Sequence, residues 1–192
     1  MGPCLSTRQE EFQLYQRKEG ETTLHHAELM EFMERHTELW AMLAVNINVD
    51  ADTCKDIAVR TALSLVTPTV GDVPTDLDNV GMTASQFKHF HTTYVEDPRG
   101  SLDFFQKTVF AAFDKDNNGL LDPAELDIFC GIFYAPDSIF AGDARLPVDK
   151  EEFKELLGAR FDENKDGMLS FSEIQEVISG KANIWRDTDA EG

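Results

Sequence analysis

Two stretches of twelve residues carry the same pattern of polar side chains, and they constrain this chain more than any other feature. The first is DKDNNGLLDPAE at 114–125, and the second is DENKDGMLSFSE at 162–173. Each has oxygen-bearing side chains at positions 1, 3, 5 and 9, a glycine at position 6, an apolar residue at position 8 and a glutamate at position 12. One copy alone could be an ordinary polar turn, because Asp, Asn and Gly favour turns. Two complete copies indicate a shared chemistry.

That chemistry is the binding of a hard cation. Ca²⁺ takes about six to eight oxygen ligands, and a 12-residue loop can supply them from positions 1, 3, 5, 7, 9 and 12, with position 7 contributing its backbone carbonyl. The ligands predicted in the first loop are Asp114, Asp116, Asn118, Leu120 through its carbonyl, Asp122 and Glu125. Those predicted in the second are Asp162, Asn164, Asp166, Met168 through its carbonyl, Ser170 and Glu173. The sequence therefore predicts two Ca²⁺ ions per chain.

Apolar residues recur at helical spacing on both sides of each loop, whereas strand-like alternation is almost absent. Phe110 and Phe113 precede the first loop, and Leu126 and Phe129 follow it. Leu121 and Leu169, at position 8 of their loops, are expected to pair with each other. The periodicity predicts an all-α fold with these helices: Thr7–Gln16, one from His26 bent through Val45, Thr53–Val66, Ser85–Val95, Ser101–Phe113, one ending near Tyr134, Asp149–Phe161 and one ending near Ile184.

The loops and their flanking helices resemble the EF-hand superfamily, most specifically over residues 101–180. EF-hands come in pairs, so the resemblance implies two more hands in the first half of the chain. The stretch 20–33 is similar to the second half of a hand, with Leu24 at the place of position 8 and Glu28 at that of position 12. Its first half, QRKEGE, is basic where ligands should be.

A second eroded hand is indicated by the stretch 80–90, with Met82 at the place of position 8 and Gln86 at that of position 12. Its ligand places would fall on Thr75, Leu77 and Asn79, which cannot balance a divalent charge. Both eroded hands are predicted to be metal-free pairing modules.

The resemblance implies a fold of two lobes of paired EF-hands. The predicted limits are 1–96 for a lobe with two degenerate hands and 100–184 for a lobe with two intact hands, followed by a tail at 185–192. The segment EDPRG at 96–100 is expected to link the lobes. The intact loops start 48 residues apart, which is similar to the neuronal calcium sensor class and longer than in calmodulin. Pro3, the missing Cys-Pro signature and the second ligand-poor hand depart from that class.

The resemblance implies a Ca²⁺ sensor that exposes apolar surface to the helix of a protein target. The alternative is a cytosolic Ca²⁺ buffer that binds without opening, and a structural adaptor with permanently filled sites is a third reading. The methionines Met30, Met33, Met42 and Met82 could line a target groove, but core filling is the preferred interpretation.

Net charge, catalytic motifs and cysteine spacing narrow the functional class of the protein further. With 17 basic and 36 acidic residues, a net charge of −19 excludes the basic footprint of a nucleic-acid binder. No Ser/His/Asp order, Gly-rich phosphate loop or HExxH motif appears, so no enzyme is predicted. The three cysteines, Cys4, Cys54 and Cys130, lie far apart, which favours reduced thiols and a cytoplasmic location.

Two smaller features leave alternatives open. Gly2, Ser6 and Cys4 touch the acylation pattern that would give weak membrane association, although Pro3 opposes it and an ordinary chain start is the other reading. The five histidines include two close pairs, but neither pair faces one way on a helix, so solvated or capping roles are predicted rather than a transition-metal site.

Overall fold

The computed structural model describes residues 12–16, 22–36, 49–67, 80–134 and 149–179 of the 192-residue chain. The fold is all-α, as predicted. Its helices are α1 (His26–His36), α2 (Ala51–Val66), α3 (Ala84–Phe90), α4 (Pro98–Phe113), α5 (Pro123–Tyr134), α6 (Lys150–Phe161) and α7 (Phe171–Ile178), with a π-helix at His91–Glu96 and a helical turn at 12–15. The strands are β1 (Thr23–Leu24), β2 (Met82–Thr83), β3 (Leu120–Leu121) and β4 (Leu169–Ser170).

Helix starts follow local capping chemistry. Asp50 caps α2, because its side chain accepts a hydrogen bond from the Thr53 backbone N–H at 2.9 Å. Asp97 does the same for α4 through the Gly100 N–H at 2.9 Å, and Pro98 occupies the first helical position. Helix α4 therefore begins three residues before the predicted start at Ser101.

One predicted helix is two elements. The expected single helix Ser85–Val95 is the α-helix α3 followed by the π-helix. The corner after it is tight, since a Cβ atom on Gly100 would lie 1.6 Å from the Thr93 carbonyl oxygen. Only glycine allows this close backbone approach.

Several predictions fall outside the described residues. They are the start of the first helix, the bent continuation towards Val45, the ligand places Thr75, Leu77 and Asn79, the tail at 185–192, and the acylation residues Gly2 and Cys4. The last helix was predicted to end near Ile184, but α7 ends at Ile178 with Ser179 at its C-cap.

The chain divides into two compact units, Met1–Thr108 and Val109–Gly192. The linker predicted at 96–100 holds the end of the π-helix and the beginning of α4. The lobe limits 1–96 and 100–184 stay a prediction.

The core of the first unit is a group of aromatic side chains around Phe32. Its ring lies 5.5 Å from that of Tyr15 and 5.1 Å from that of Phe87, and Phe12 reaches Phe87 at 5.7 Å, all in edge-to-face geometry. Such pairs add about 0.5–1.5 kcal/mol each to the burial of apolar area. Met33 belongs to the same buried core, as the core reading of the methionines predicts.

The histidines of the first unit differ in part from the prediction. His26 is half-buried and contacts Asp56 at 2.6 Å. His91 is buried rather than solvated, with its ring 5.9 Å from Phe87 and 6.2 Å from Phe32. Its Nδ1 lies 3.4 Å from Glu96 Oε1, because a π-helix brings residues five apart onto one face.

The two short strands of the first unit pair antiparallel. Leu24 lies opposite Met82, and both side chains are fully buried. These residues stand at the two places that the sequence assigns to position 8 of the eroded hands.

The core of the second unit is also built from aromatic side chains in contact. Phe129 contacts Phe113 at 5.2 Å and Phe133 at 5.6 Å, and Phe133 reaches Phe153 of α6 at 5.0 Å. Strands β3 and β4 pair antiparallel with Leu121 opposite Leu169, as predicted. Further buried members of this core are Leu126, Leu157, Ile174 and Val177.

Among the described residues, no helix is both long and apolar enough to cross a lipid bilayer.

Candidate metal centre

The first loop is held between the end of α4 and the beginning of α5. The Asp114 N–H still donates to the Phe110 carbonyl, so position 1 stands on the last turn of α4. Asp122 caps α5, because its Oδ1 accepts from the N–H groups of Ala124 at 2.7 Å and Glu125 at 2.9 Å. This cap places Glu125 in the first helical turn, from where its side chain reaches back into the loop.

Side-chain oxygens bind the loop backbone from the inside. The two oxygens of Asp114 accept from the Asn118 N–H at 3.0 Å and the Gly119 N–H at 2.9 Å. Asp116 Oδ1 accepts from Asn118 at 3.1 Å, and Asn118 Oδ1 accepts from the Leu120 N–H at 2.8 Å. The chain therefore wraps around its own ligand-type oxygens.

Glu125 closes the first loop with both carboxylate oxygens. Its Oε1 accepts from the Lys115 N–H at 2.7 Å, and its Oε2 accepts from the Asp122 N–H at 3.1 Å. The side chains of Asp114, Asp116 and Glu125 each offer an oxygen atom, and these three atoms lie within 4.8 Å of one another. This is the one such acidic group in the described part of the chain.

Burial makes the ionised form of Asp114 unfavourable without a counter-charge. Asp114 and Glu125 are only 7% and 6% exposed. Burial raises the pKa of Asp114, with smaller contributions in the same direction from Glu125 and Asp116, while hydrogen bonds from Gly119 and Asn118 lower it. A bound cation would remove this penalty.

The second loop repeats the hydrogen bonds between its side-chain oxygens and its backbone. Asp162 accepts from the N–H groups of Asp166 at 3.2 Å and Gly167 at 2.9 Å. Asn164 Oδ1 accepts from Asp166 at 2.9 Å, and Asp166 Oδ1 accepts from the Met168 N–H at 2.8 Å.

Glu173 occupies the place of Glu125. Its Oε1 accepts from the Glu163 N–H at 3.2 Å, and its Oε2 accepts from the Ser170 N–H at 2.8 Å and the Ser170 hydroxyl at 2.7 Å. The hydrogen bond from the Ser170 side chain, followed by that from its backbone, lowers the pKa of Glu173. The carboxylate therefore stays ionised at neutral pH.

Both loops turn through left-handed residues at positions 4 and 6. The φ angles are 56° at Asn117 and 60° at Lys165, and 81° at both Gly119 and Gly167. Glycine adopts this region without steric cost, and Asn tolerates it better than Lys does. The two loops thus share backbone conformation as well as side-chain pattern.

All twelve predicted ligand positions lie in these two loops, which β3 and β4 join. The atoms that these positions offer to a metal are carboxylate, amide, hydroxyl and carbonyl oxygens. This set suits Ca²⁺, and it lacks the nitrogen and sulfur atoms that transition metals prefer. Sequence reasoning missed the N–H groups of Lys115 and Glu163, which hold the two glutamates. Every residue type except proline supplies a backbone N–H, so the sequence carries almost no signal for them.

Comparison with known families matches residues 106–179 to the model of an EF-hand domain pair. The match supports placing this region in the EF-hand superfamily and implies Ca²⁺ binding. A search of curated proteins finds no match, and a search of solved structures finds none either.

Proposed function

We propose that this protein binds two Ca²⁺ ions in the paired loops of its second unit and acts as a Ca²⁺ sensor for a protein target. One observation carries the proposal: in both loops the position-12 glutamate accepts a hydrogen bond from the N–H of position 2, ten residues earlier. This closure gathers ligands from both ends of a 12-residue segment around one small space.

The residues that would hold the cations are the two sets of six already named. A bound Ca²⁺ supplies positive charge that neutralises the facing carboxylates of each loop. Asp114 stands at the end of α4 and Glu125 at the beginning of α5, so a cation held by both residues would link these two helices. Asp162 and Glu173 have the same relation to α6 and α7.

The sensor reading is supported by what lies next to the loops. Phe113 is the last residue of α4, and Phe129 stands in the second turn of α5, in contact with it. A change in the angle between these helices would therefore repack buried aromatic rings and expose apolar surface. An amphipathic target helix is the partner that such a surface fits.

We also propose that the first unit is a pair of degenerate hands, which makes the protein a four-hand relative of the neuronal calcium sensor and calmodulin-like class. The register of β1 and β2 supports this, since it matches that of β3 and β4. A second support is local. In each repeat the position-12 side chain accepts from the N–H three residues before it, as the following pairs and distances show: His25–Glu28 at 2.9 Å, Thr83–Gln86 at 2.9 Å, Asp122–Glu125 at 3.1 Å and Ser170–Glu173 at 2.8 Å.

Titration with Ca²⁺ in the presence of a hydrophobic-surface dye tests the sensor proposal. Dye fluorescence should rise as both sites fill, and Mg²⁺ should substitute poorly because it prefers a tighter six-coordinate shell. Filled sites with flat dye fluorescence would identify a buffer instead. Sites that never empty at low Ca²⁺ would identify a structural adaptor.

The proposal places a non-enzymatic protein in the cytoplasm. Cys54 and Cys130 are free and buried, which suits a reducing compartment. Fractionation of cells that express the tagged chain, with and without Ca²⁺, tests this location.

A further inference from the structure

Gln86 stands where an intact hand has its metal-binding glutamate. Its Oε1 accepts from the Thr83 N–H at 2.9 Å and from the Thr83 hydroxyl at 2.8 Å, and the Thr83 Oγ1 accepts from the Gln86 N–H at 3.3 Å. These reciprocal bonds form a capping box at the start of α3. The acceptor half of the amide thus does what the carboxylates of Glu125 and Glu173 do at their own helix starts.

The other half of the amide does something that a carboxylate cannot do. Gln86 Nε2 donates to the backbone carbonyl of Val66 at 3.2 Å, in a part-buried contact. Val66 is the last residue of α2, and the final carbonyls of a helix have no partner within it. This hydrogen bond therefore joins the end of the helix before the loop to the beginning of the helix after it.

The contrast with the intact loops is one of charge. In the loops at 114–125 and 162–173, the second oxygen of the position-12 glutamate accepts a hydrogen bond from a backbone N–H group. An ionised carboxylate can only accept hydrogen bonds. At Gln86 the group that faces the side chain is the Val66 carbonyl oxygen, which would repel a carboxylate. The amide N–H attracts this oxygen through its partial positive charge. In an intact hand a bound cation would supply the positive charge.

The buried residues next to Gln86 favour one fixed position of its side chain. The neighbouring residue Phe87 is fully buried, and so are Met82 on the strand before it and Leu63 on the last turn of α2. A hydrogen bond at the edge of such a core is less exposed to competition from water.

We propose that Gln86 is a metal-independent clasp that ties α2 to α3, so that this part of the first unit keeps one conformation at any Ca²⁺ concentration. The clasp rests on the proposed degenerate hands of the first unit. It does not depend on Ca²⁺ binding by the second unit.

Two substitutions in the full-length chain separate the two halves of the amide. Gln86→Glu keeps the acceptor for Thr83 and removes the donor to Val66, whereas Gln86→Lys keeps a donor and removes the acceptor. Gln13→Glu is the matched control, because it makes the same change in charge on an exposed residue of the same unit. The measurement is hydrogen exchange of the α2 C-terminal turn, including the Thr67 N–H that bonds to the Leu63 carbonyl, with and without Ca²⁺.

Gln86→Glu should speed exchange in this turn about tenfold and lower the melting temperature of the first unit by about 5 °C. Gln86→Lys and Gln13→Glu should leave the turn protected, and Ca²⁺ should not change protection in the wild type. Wild-type exchange in Gln86→Glu, or equal loss of protection in Gln86→Lys, would overturn the clasp. Calcium titration of the same proteins tests the proposed function separately, since a chain that fails to bind Ca²⁺ can still show the exchange result.

Discussion

Glu125 and Glu173 are the residues on which each loop closes. Each side chain spans from the first turn of its helix to the N–H of the second loop residue. The carboxylate thereby joins two segments ten residues apart, and it also adds one negative charge to the oxygen atoms of the loop. Size and charge can be separated, because glutamine has the same shape without the charge.

We expect Glu125→Gln and Glu173→Gln each to weaken Ca²⁺ binding at their own loop by about tenfold or more, since the amide loses the charge and the bidentate grip. Glu176→Gln, at an exposed position of α7, is the control with the same chemical change. Calorimetric titration measures each affinity. Unchanged affinity in either loop variant would remove that loop from the proposed metal centre.

The two loops differ at position 9, where Asp122 and Ser170 both cap their exiting helices. The first loop thus has four acidic side chains at ligand positions and the second has three. Because affinity rises with ligand charge, the first loop should fill at the lower Ca²⁺ concentration.

The exchange Asp122→Ser with Ser170→Asp should reverse this order, because both residues are good caps and only the charge moves. Magnetic resonance of the Gly119 and Gly167 N–H groups during titration reports each loop separately. Simultaneous filling in the wild type, or an order unaffected by the exchange, would contradict the charge argument.

At the scale of elements, β3 and β4 connect the loops through the backbone. Leu121 and Leu169 are buried opposite each other, so ordering one loop restrains its neighbour. The free energy of binding at one loop should therefore include a contribution from the other.

Glu173→Gln should accordingly lower Ca²⁺ affinity at the first loop as well, by about fivefold, although that loop keeps all its own ligands. Glu125→Gln should have the reciprocal effect on the second loop, since coupling between two binding sites is symmetric. Titrations of both variants, read at Gly119 and Gly167, supply the test. Fully independent sites would show that the strand pairing transmits no coupling.

A second connection between elements is the ion-pair network of Asp127 on α5 with Lys150 and Lys154 on α6. The distances from the Asp127 carboxylate are 2.7 Å to Lys150 Nζ and 3.2 Å to Lys154 Nζ. The hydrogen bond from Lys150 and then that from Lys154 lower the pKa of Asp127. The ionised form is therefore favoured in the folded chain.

The lowered pKa of Asp127 makes the stability of the second unit depend on pH. A lowered folded pKa gives stability that is fully present above the unfolded value, about 3.9, and is lost as pH falls through the folded value. Asp127→Asn should thus lower the melting temperature of the second unit slightly at pH 7, and the difference from wild type should shrink below pH of about 4. Asp103→Asn, which removes an ion pair within α4, is the control. A difference that does not depend on pH would assign the effect to packing.

The sequence predicted the elements well where the pattern is local. The position-8 pair and the flanking apolar residues both depend on fixed spacings within a few turns. The π-helix was missed because the period of apolar residues from Phe87 to Val95 is compatible with an ordinary α-helix. The clasp was missed because Gln86 and Val66 lie 20 residues apart, and no spacing rule connects an amide to a distant carbonyl.

At the scale of the whole molecule, acidic residues are spread along both halves of the chain, so a net charge of −19 does not locate the predicted metal sites. In the proposed hands, Glu28 of the first unit is a carboxylate at the position-12 place, like Glu125 and Glu173 of the second unit, and Gln86 is the exception. Glu125 and Glu173 are carboxylates that accept a backbone N–H ten residues earlier, whereas Gln86 is a neutral amide whose Nε2 donates to the Val66 carbonyl.

Calcium should therefore act on the second unit alone, with two ions bound per chain. Hydrogen exchange with and without Ca²⁺ should show slower exchange in the loops at 114–125 and 162–173 and no change in α1, α2 and α3 of the first unit. The physical reason is that protection rises where a ligand binds the folded state, and the first unit offers no comparable oxygen ring among its described residues. Calorimetry of the same samples counts the ions. A third bound ion, or Ca²⁺-dependent protection in the first unit, would show that an eroded hand still responds to the metal.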